Sequence, residues 1–259
     1  MKKTLKDKLS DKLVNAFLKN KIVTAIPNKF TKKLTEADKF RKLCESKIKE
    51  PVIGYKAGGT GIPLLKKLKE KEPFYASIYK RNFLKNGKRV KINKSTFGIE
   101  LEVCYLIKKS FFIYKGSITS RNISKFISHM APCIEVVGYR QKKKGIKSFG
   151  DLSSDFGANV KFLIGQKKKY KKINIKNLKT VISNKKINQS VDGNTNTVYI
   201  NPLNSLKFVL NKVKKDKINL NKDFYVFTGS TVGVVPIKDK GLYIGKIDKL
   251  GSVKALISY

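Results

Sequence analysis

Glu100 and Glu102 stand two residues apart inside an otherwise apolar run, Phe97-Gly98-Ile99-Glu100-Leu101-Glu102-Val103-Cys104-Tyr105. Ile99, Leu101, Val103 and Tyr105 alternate with them at the period of a β-strand, so both carboxylates leave one face, within reach of one cation. The pairing is conspicuous in a chain with only 18 acidic residues. Like charges side by side on a partly buried face repel and lose hydration unless something compensates, and a divalent cation does so directly. Glu135 lies in a similar run, Ala131-Pro132-Cys133-Ile134-Glu135-Val136-Val137-Gly138. Three oxygen ligands suit Mg²⁺ or Mn²⁺ and leave positions for water and a chelating substrate. A sheet face open to water, its carboxylates neutralised by lysines on neighbouring strands, accommodates the same spacing.

The elements that must position these groups follow from periodicity. Leu5, Leu9, Leu13 and Phe17 recur at fourfold spacing and predict a short amphipathic helix. Thr35 followed by Asp38 predicts a cap for a second helix holding Phe40, Leu43 and Cys44, and Pro63 opens a third with Leu64, Leu65 and Leu68. Residues 1–70 thus read as a mainly helical N-terminal region with one short strand, Val52 to Tyr55. Residues 71–259 read as a sheet-bearing domain, with strands expected at Ile99 to Tyr105, Phe111 to Tyr114, Ile134 to Tyr139, Val160 to Ile164, Leu178 to Ile182, Phe224 to Thr228, Leu242 to Ile247 and Val253 to Ile257. Two helices are expected among them. One runs from Ser120 to Met130 with Ile123, Phe126 and Ile127 inward; the other starts at Asn201-Pro202 and buries Leu203, Leu206, Leu210 and Val213. This order implies an α+β fold around a mixed sheet, without regular βαβ alternation.

At 259 residues and 41% hydrophobic content, the chain can bury a substantial core. Its formal charge of +40 first suggests a polyanion partner. The arginines, however, are limited to Arg41, Arg81, Arg89, Arg121 and Arg140, whereas phosphate and groove readers exploit the guanidinium fork. The lysines are spread along the whole length, as on ordinary solvated surface, with Lys142 to Lys144 and Lys167 to Lys172 expected in surface loops or strand ends. A nucleic-acid partner is therefore disfavoured, and a basic nucleic-acid-binding protein on an enzyme-like fold stays as the alternative of a different class. Cys44, Cys104 and Cys133 form no CxxC pair, which suits a reducing compartment and argues against disulfides and structural zinc. The basic start, Met1 to Lys8, leads into charge-interrupted sequence with no signal peptide or membrane span, so a cytoplasmic protein is expected.

Several stretches resemble, in order, motifs of the 2-oxopent-4-enoate hydratase and 4-oxalocrotonate decarboxylase family of the fumarylacetoacetate hydrolase superfamily. Gly54-Tyr55-Lys56-Ala57-Gly58 is similar to its G-x-K-x-G segment, Ile99 to Val103 to its I-E-x-E strand, and Pro132 to Arg140 to its P-x-x-E-V-V-x-x-R segment. Ser154-Asp155-Phe156-Gly157-Ala158-Asn159 resembles its aspartate-bearing segment, Asn201 to Leu206 its N-P-L-N motif, Phe227-Thr228-Gly229-Ser230 its L-T-G-S motif, and Leu250 to Val253 its closing G-S-V strand. Nothing before Gly54 is matched. Gly58-Gly59-Thr60-Gly61 departs from the usual G-L-T, and Phe156 stands where an asparagine often follows the aspartate.

The resemblance implies a mixed β-sheet roll of the fumarylacetoacetate hydrolase C-terminal type behind a small, mainly helical N-terminal region. Glu100, Glu102 and Glu135 would hold Mg²⁺ or Mn²⁺. Lys56, contributed by the N-terminal region, would transfer protons, and Asp155 would orient substrate or water. Gly229 and Ser230 would offer backbone NH groups and a hydroxyl to the substrate carboxylate. Against these roles stand plainer ones: Lys56 as a surface lysine, Asp155 as a turn aspartate capping its own loop, and Gly229-Ser230 as a strand-end turn. The implied activity is metal-dependent hydration of a 2-hydroxypenta-2,4-dienoate-type 2-oxo acid to a 4-hydroxy-2-oxo acid by a homo-oligomer. Decarboxylation of 2-oxo-hexenedioate (4-oxalocrotonate) is the nearest alternative. A carbon-carbon bond hydrolase needs a His-Glu pair to activate water, and the sole histidine, His129, is expected near the end of a helix outside the motifs.

Overall fold

In the computed structural model, which describes residues 3–142 and 146–259, the alternating Ile99–Tyr105 run is the middle of a 12-residue strand, Thr96–Ile107. In chain order the strands of three or more residues are β1 (Val52–Gly58), β2 (Phe74–Tyr79), β3 (Phe83–Lys85), β4 (Arg89–Lys91), β5 (Thr96–Ile107), β6 (Ile127–Gly138), β7 (Asn159–Ile164), β8 (Lys179–Asn184), β9 (Gln189–Asn194), β10 (Phe224–Ser230), β11 (Gly241–Ile247) and β12 (Gly251–Ser258). The larger sheet runs β2-β1-β10-β5-β6-β7-β3, with Lys168–Lys169 and Val235–Pro236 paired at its margins. Its β1–β10 and β3–β7 pairs are parallel and the rest antiparallel, so the sheet is mixed. A second sheet runs β9-β8-β11-β12-β4.

The strand period of two divides the larger sheet into unlike faces. Ile99, Leu101, Val103 and Tyr105 enter the main core with Tyr243, Val253, Ala255 and Ile257 of the second sheet. The opposite face carries a smaller cluster, Ile78, Cys104, Ala131, Cys133, Phe162, Ile164 and Phe227. The carboxylates of β5 and β6 lie on this second face.

Five α-helices complete the described residues: α1 (Leu5–Lys19), α2 (Leu34–Ser46), α3 (Ile62–Lys67), α4 (Phe149–Ser154) and α5 (Pro202–Lys215). Thr4 caps α1 by accepting from the Asp7 amide at 3.2 Å, and left-handed Asn20 ends it. Leu13 and Phe17 are buried but Leu5 is 53% exposed. Each fourfold step overshoots a turn by about 40°, which carries Leu5 off the buried face. Asn201 caps α5 through the Asn204 amide; Leu206, Leu210 and Val213 are buried and Leu203 is half-buried.

Three expectations are corrected. The cap at Thr35 is not formed: α2 starts at Leu34 behind Lys33, and Asp38 pairs instead with Arg41 and the Ser153 hydroxyl. The helix from Ser120 to Met130 shrinks to a 3-10 turn, Ile123–Phe126, after which the chain enters β6. Pro132 has no amide to donate and pushes the residue before it to extended backbone, and the cross-strand partner Tyr105 of Met130 supplies burial that a helix would not. His129 therefore sits on β6 opposite Leu106, not at a helix end. The strand at Phe111 to Tyr114 is a 3-10 turn, Lys109–Phe112, which buries Phe111 and leaves Ile113 79% exposed. Lys167 to Lys169, Lys171 and Lys172 lie on the surface as expected, while Lys143 and Lys144 are outside the described residues.

Candidate active site

Register brings the three glutamates together. β5 and β6 are antiparallel with Glu100 directly opposite Glu135 and Glu102 opposite Cys133. One carboxylate oxygen from each of Glu100, Glu102 and Glu135 lies within 4.8 Å of the others. Glu102 and Glu135 are completely buried, whereas Glu100 is half-buried and marks the side from which solvent reaches the cluster. The water-open sheet face that the spacing also allowed is therefore absent at Glu102 and Glu135.

Lys56 reaches the same cluster from β1, two strands away from β5, through the intervening β10. Its Nζ donates to Glu135 Oε1 at 2.5 Å and Oε2 at 2.6 Å, and to the Gly157 carbonyl at 3.3 Å. Only 3% of Lys56 is exposed. Burial pulls its pKa down, but attraction from Glu135, Glu100 and Glu102 outweighs that, so the net shift is upward and the ammonium is retained. Burial drives the carboxyl groups the other way. Glu100 and Glu102 are each pushed up to about 7, and Glu135 well above the ordinary carboxylate range, although Lys56 opposes all three shifts.

With all three carboxylates ionised, the state in which they would ligate a metal, one ammonium leaves two negative charges in excess, the charge a single divalent cation cancels. Glu102 also has a buried Oε1 with no hydrogen-bond partner, while its Oε2 accepts from the Gly229 amide at 2.9 Å. A buried, unsatisfied carboxylate oxygen costs free energy unless a ligand completes it. The donor set is all oxygen, as hard cations such as Mg²⁺ and Mn²⁺ prefer. Residues and charge thus fit the cation the sequence suggested.

Gly229 has φ +99, and a Cβ there would stand 2.1 Å from Thr60 Oγ1. Only glycine lets the β10 end approach Thr60 while aiming its amide at Glu102. The Ser230 hydroxyl is taken up within its own turn, donating to the Gly233 carbonyl at 2.7 Å. Asp155 is completely buried, and its acceptors are filled by the Arg140 amide at 2.5 Å, Arg140 Nη1 at 3.0 Å and the Gln141 amide at 3.3 Å. It anchors the turn that carries Gly157 toward Lys56. His129 is half-buried on β6 beyond the carboxylates, with Nδ1 3.2 Å from the Ser128 hydroxyl.

Sequence reasoning missed Thr60 and the Gly157 carbonyl as members of the site. Thr60 had a signal, since it interrupts a glycine cluster directly after the Lys56 segment; a backbone carbonyl has none. Arg140 stood out as one of five arginines in a lysine-rich chain, and buried pairing is where a guanidinium fork differs from an ammonium. Two cavities, of about 490 and 320 Å³, lie away from the carboxylates along α5 and do not contain this chemistry.

No protein-family model matches the chain, and no curated protein sequence matches it. Solved structures do. A 4-oxalocrotonate decarboxylase from Pseudomonas putida G7, complexed with magnesium and adipate, superposes with a TM-score of 0.84 at 18% identity, over 99% of this chain and 100% of that one. Fumarylpyruvate hydrolase from Pseudomonas aeruginosa, in complex with Mn²⁺ and pyruvate, matches 80% of this chain and 90% of that one at 14% identity and a TM-score of 0.57. A 5-carboxymethyl-2-hydroxymuconate delta-isomerase from Mycobacterium smegmatis gives 0.54 at 11% identity, over 80% of each chain. Identities this low speak for the fold alone, and the agreement in fold extends over essentially the whole chain. The chain therefore has the α+β, mixed-sheet fold shared by 4-oxalocrotonate decarboxylase and fumarylpyruvate hydrolase, the fumarylacetoacetate hydrolase fold that its ordered motifs resemble.

Proposed function

We propose that this chain is a divalent-metal-dependent enzyme acting on small 2-oxo acids, with hydration of a 2-oxo-4-enoate as its reaction. The observation that carries the proposal is the convergence of the Glu100, Glu102 and Glu135 carboxylates around the buried Lys56 ammonium. Glu100, Glu102 and Glu135 would hold Mg²⁺ or Mn²⁺, which when bound would supply Lewis-acid stabilisation of negative charge developing on a 2-oxo acid.

The protein's own groups do the rest. Lys56 Nζ is the only side-chain ammonium among the described residues placed on this cluster, and it holds the proton that must move as a 2-oxo-dienoate takes up water. Glu135 keeps that ammonium charged and aimed. The Gly229 amide fixes the rotamer of Glu102, and complete burial shields Glu102 and Glu135 from bulk water. Asp155 acts on the site through the turn it anchors, and Gly229-Ser230 forms the edge against which the substrate carboxylate lies.

Loss of CO₂ from a 2-oxo-hexenedioate is the second reading, favoured by the full-length likeness to 4-oxalocrotonate decarboxylase. The same charge stabilisation serves either reaction. Incubating the purified protein and Mn²⁺ or Mg²⁺ with 2-hydroxypenta-2,4-dienoate and with 2-oxo-hexenedioate, with and without chelator, decides between them. A 4-hydroxy-2-oxo acid product supports hydration and CO₂ release supports decarboxylation. Consumption of neither substrate, or consumption indifferent to chelator, overturns the proposal. Among the described residues no helix is long and apolar enough to cross a membrane. A homo-oligomer is part of the same reading and is checked by light scattering.

A further inference from the structure

Phe156, Gly157 and Ala158 take φ values of 52°, 70° and 58°, three consecutive left-handed residues of which two carry side chains. L-residues with side chains resist this conformation, and it persists only where the surroundings over-determine it. Here they do. The Phe156 ring packs on Phe17 of α1 with centroids 4.5 Å apart, and the Arg140 guanidinium lies 4.9 Å from the Phe17 ring and 5.9 Å from the Phe156 ring. All three side chains are buried. The Phe156 carbonyl accepts from Asn159 Nδ2, and the Ala158 amide donates to the Asp155 carbonyl at 2.8 Å.

The turn has one output toward the carboxylate cluster. Its Gly157 carbonyl accepts from Lys56 Nζ, and a Cβ on Gly157 would come within 3.3 Å of Lys56 Cδ. The turn therefore holds Lys56 by its head and, having no Cβ at Gly157, leaves room for its stem. The three glutamates, in contrast, stand on β5 and β6 and owe nothing to the turn. We propose that Phe17 and Phe156 form an aromatic lock by which α1 positions Lys56, making Phe17 a positioning residue for proton transfer at a site it does not touch. The lock also accounts for two features of the sequence: the apolar position at the end of the α1 stripe, and a phenylalanine directly after Asp155. The inference rests on the reading of Lys56 as the proton-transfer group.

The test compares Phe17→Leu with Leu13→Ala in the full chain. Leu13 is also completely buried on α1, so its truncation removes packing but leaves both rings in place. For Phe17→Leu the lock requires faster hydrogen exchange at the Ala158 amide, a kcat lower by about 10- to 100-fold at unchanged KM, and unchanged Mn²⁺ affinity by calorimetry. Leu13→Ala should lower the melting temperature without either of the first two effects. Unchanged exchange and kcat in Phe17→Leu, or the same changes in Leu13→Ala, overturn the lock. Should the wild-type protein turn over no 2-oxo acid, the proposed function fails on its own, and exchange together with a crystal structure of Phe17→Leu still decides the lock. A Lys56 Nζ that remains on the Gly157 carbonyl there, with wild-type exchange, refutes it.

Discussion

Glu100 on β5 is the direct cross-strand partner of Glu135 on β6. Like charges directly opposite each other destabilise a sheet, and Glu102 adds a third carboxylate to the same buried face. Lys56 neutralises one of these charges. Wherever the others are ionised, the remainder is an electrostatic cost that a doubly charged cation at the proposed site would cancel.

Removing one carboxylate should therefore have opposite effects on the two states. Glu102→Gln is expected to raise the stability of the metal-free protein by about 1 kcal/mol while eliminating the rise in melting temperature that Mn²⁺ produces and the metal-dependent turnover. Thermal melts with Mn²⁺ and with chelator check this. A Glu102→Gln protein stabilised by Mn²⁺ as strongly as the wild type would remove the proposed metal site.

The raised carboxyl pKa values set a pH window. Glu100 and Glu102 titrate at about 7 in the folded protein against an ordinary value of 4.5, so between these limits the folded state binds protons that the unfolded state has released. Their contribution to stability is fully present below about pH 4.5 and is lost as pH rises through about 7. Cation binding must displace those protons, so Mn²⁺ affinity climbs over the same interval. Melts at about pH 5 and about pH 8 should show a larger Mn²⁺ effect at the higher value, and an effect independent of pH would contradict the raised pKa values.

Lys56→Met leaves Glu135 buried without its ammonium. Breaking a buried pair from one side costs about 3–5 kcal/mol, and bound Mn²⁺ should recover part of it. Turnover should fall by about 10²- to 10⁴-fold although the cation still binds. Denaturant melts, calorimetry and kinetics separate the three effects. Wild-type kcat in this variant would exclude Lys56 from proton transfer.

Gly229 and Ser230 are adjacent but should behave differently. Gly229→Ala drives a Cβ into Thr60 and strains a φ of +99, which displaces the amide that orients Glu102. A loss of about 1–3 kcal/mol and weaker Mn²⁺ binding are expected. Ser230→Ala removes one hydroxyl bond within a turn, costing about 1 kcal/mol with cation binding intact. A higher KM in Ser230→Ala would show that its hydroxyl leaves Gly233 to meet substrate.

The sequence read most clearly where the relevant period is local. Alternation placed Glu100 and Glu102 on one strand face, and the Asn201 cap located α5. It misread Ser120 to Met130 because apolar spacing at three and four residues also occurs in a short 3-10 turn running into a strand; the pairing that decides the matter comes from β5, outside the segment. For Asp155 the resemblance implied a substrate- or water-orienting role beside the plainer one of a turn aspartate, and nothing local announces that Arg140, 15 residues earlier, donates to its oxygens.

The sequence by itself thus determined which residues can share a strand face, how scarce carboxylates are in a chain of charge +40, and the order of the motif-like segments. Only the tertiary structure decided that Glu135 opposes Glu100, that Lys56 crosses 79 residues of chain to meet Glu135, and that Phe17 packs on Phe156. Side-chain direction follows from backbone period within a few residues, whereas register, parallel pairing and aromatic contacts between distant segments are set by how the whole core packs.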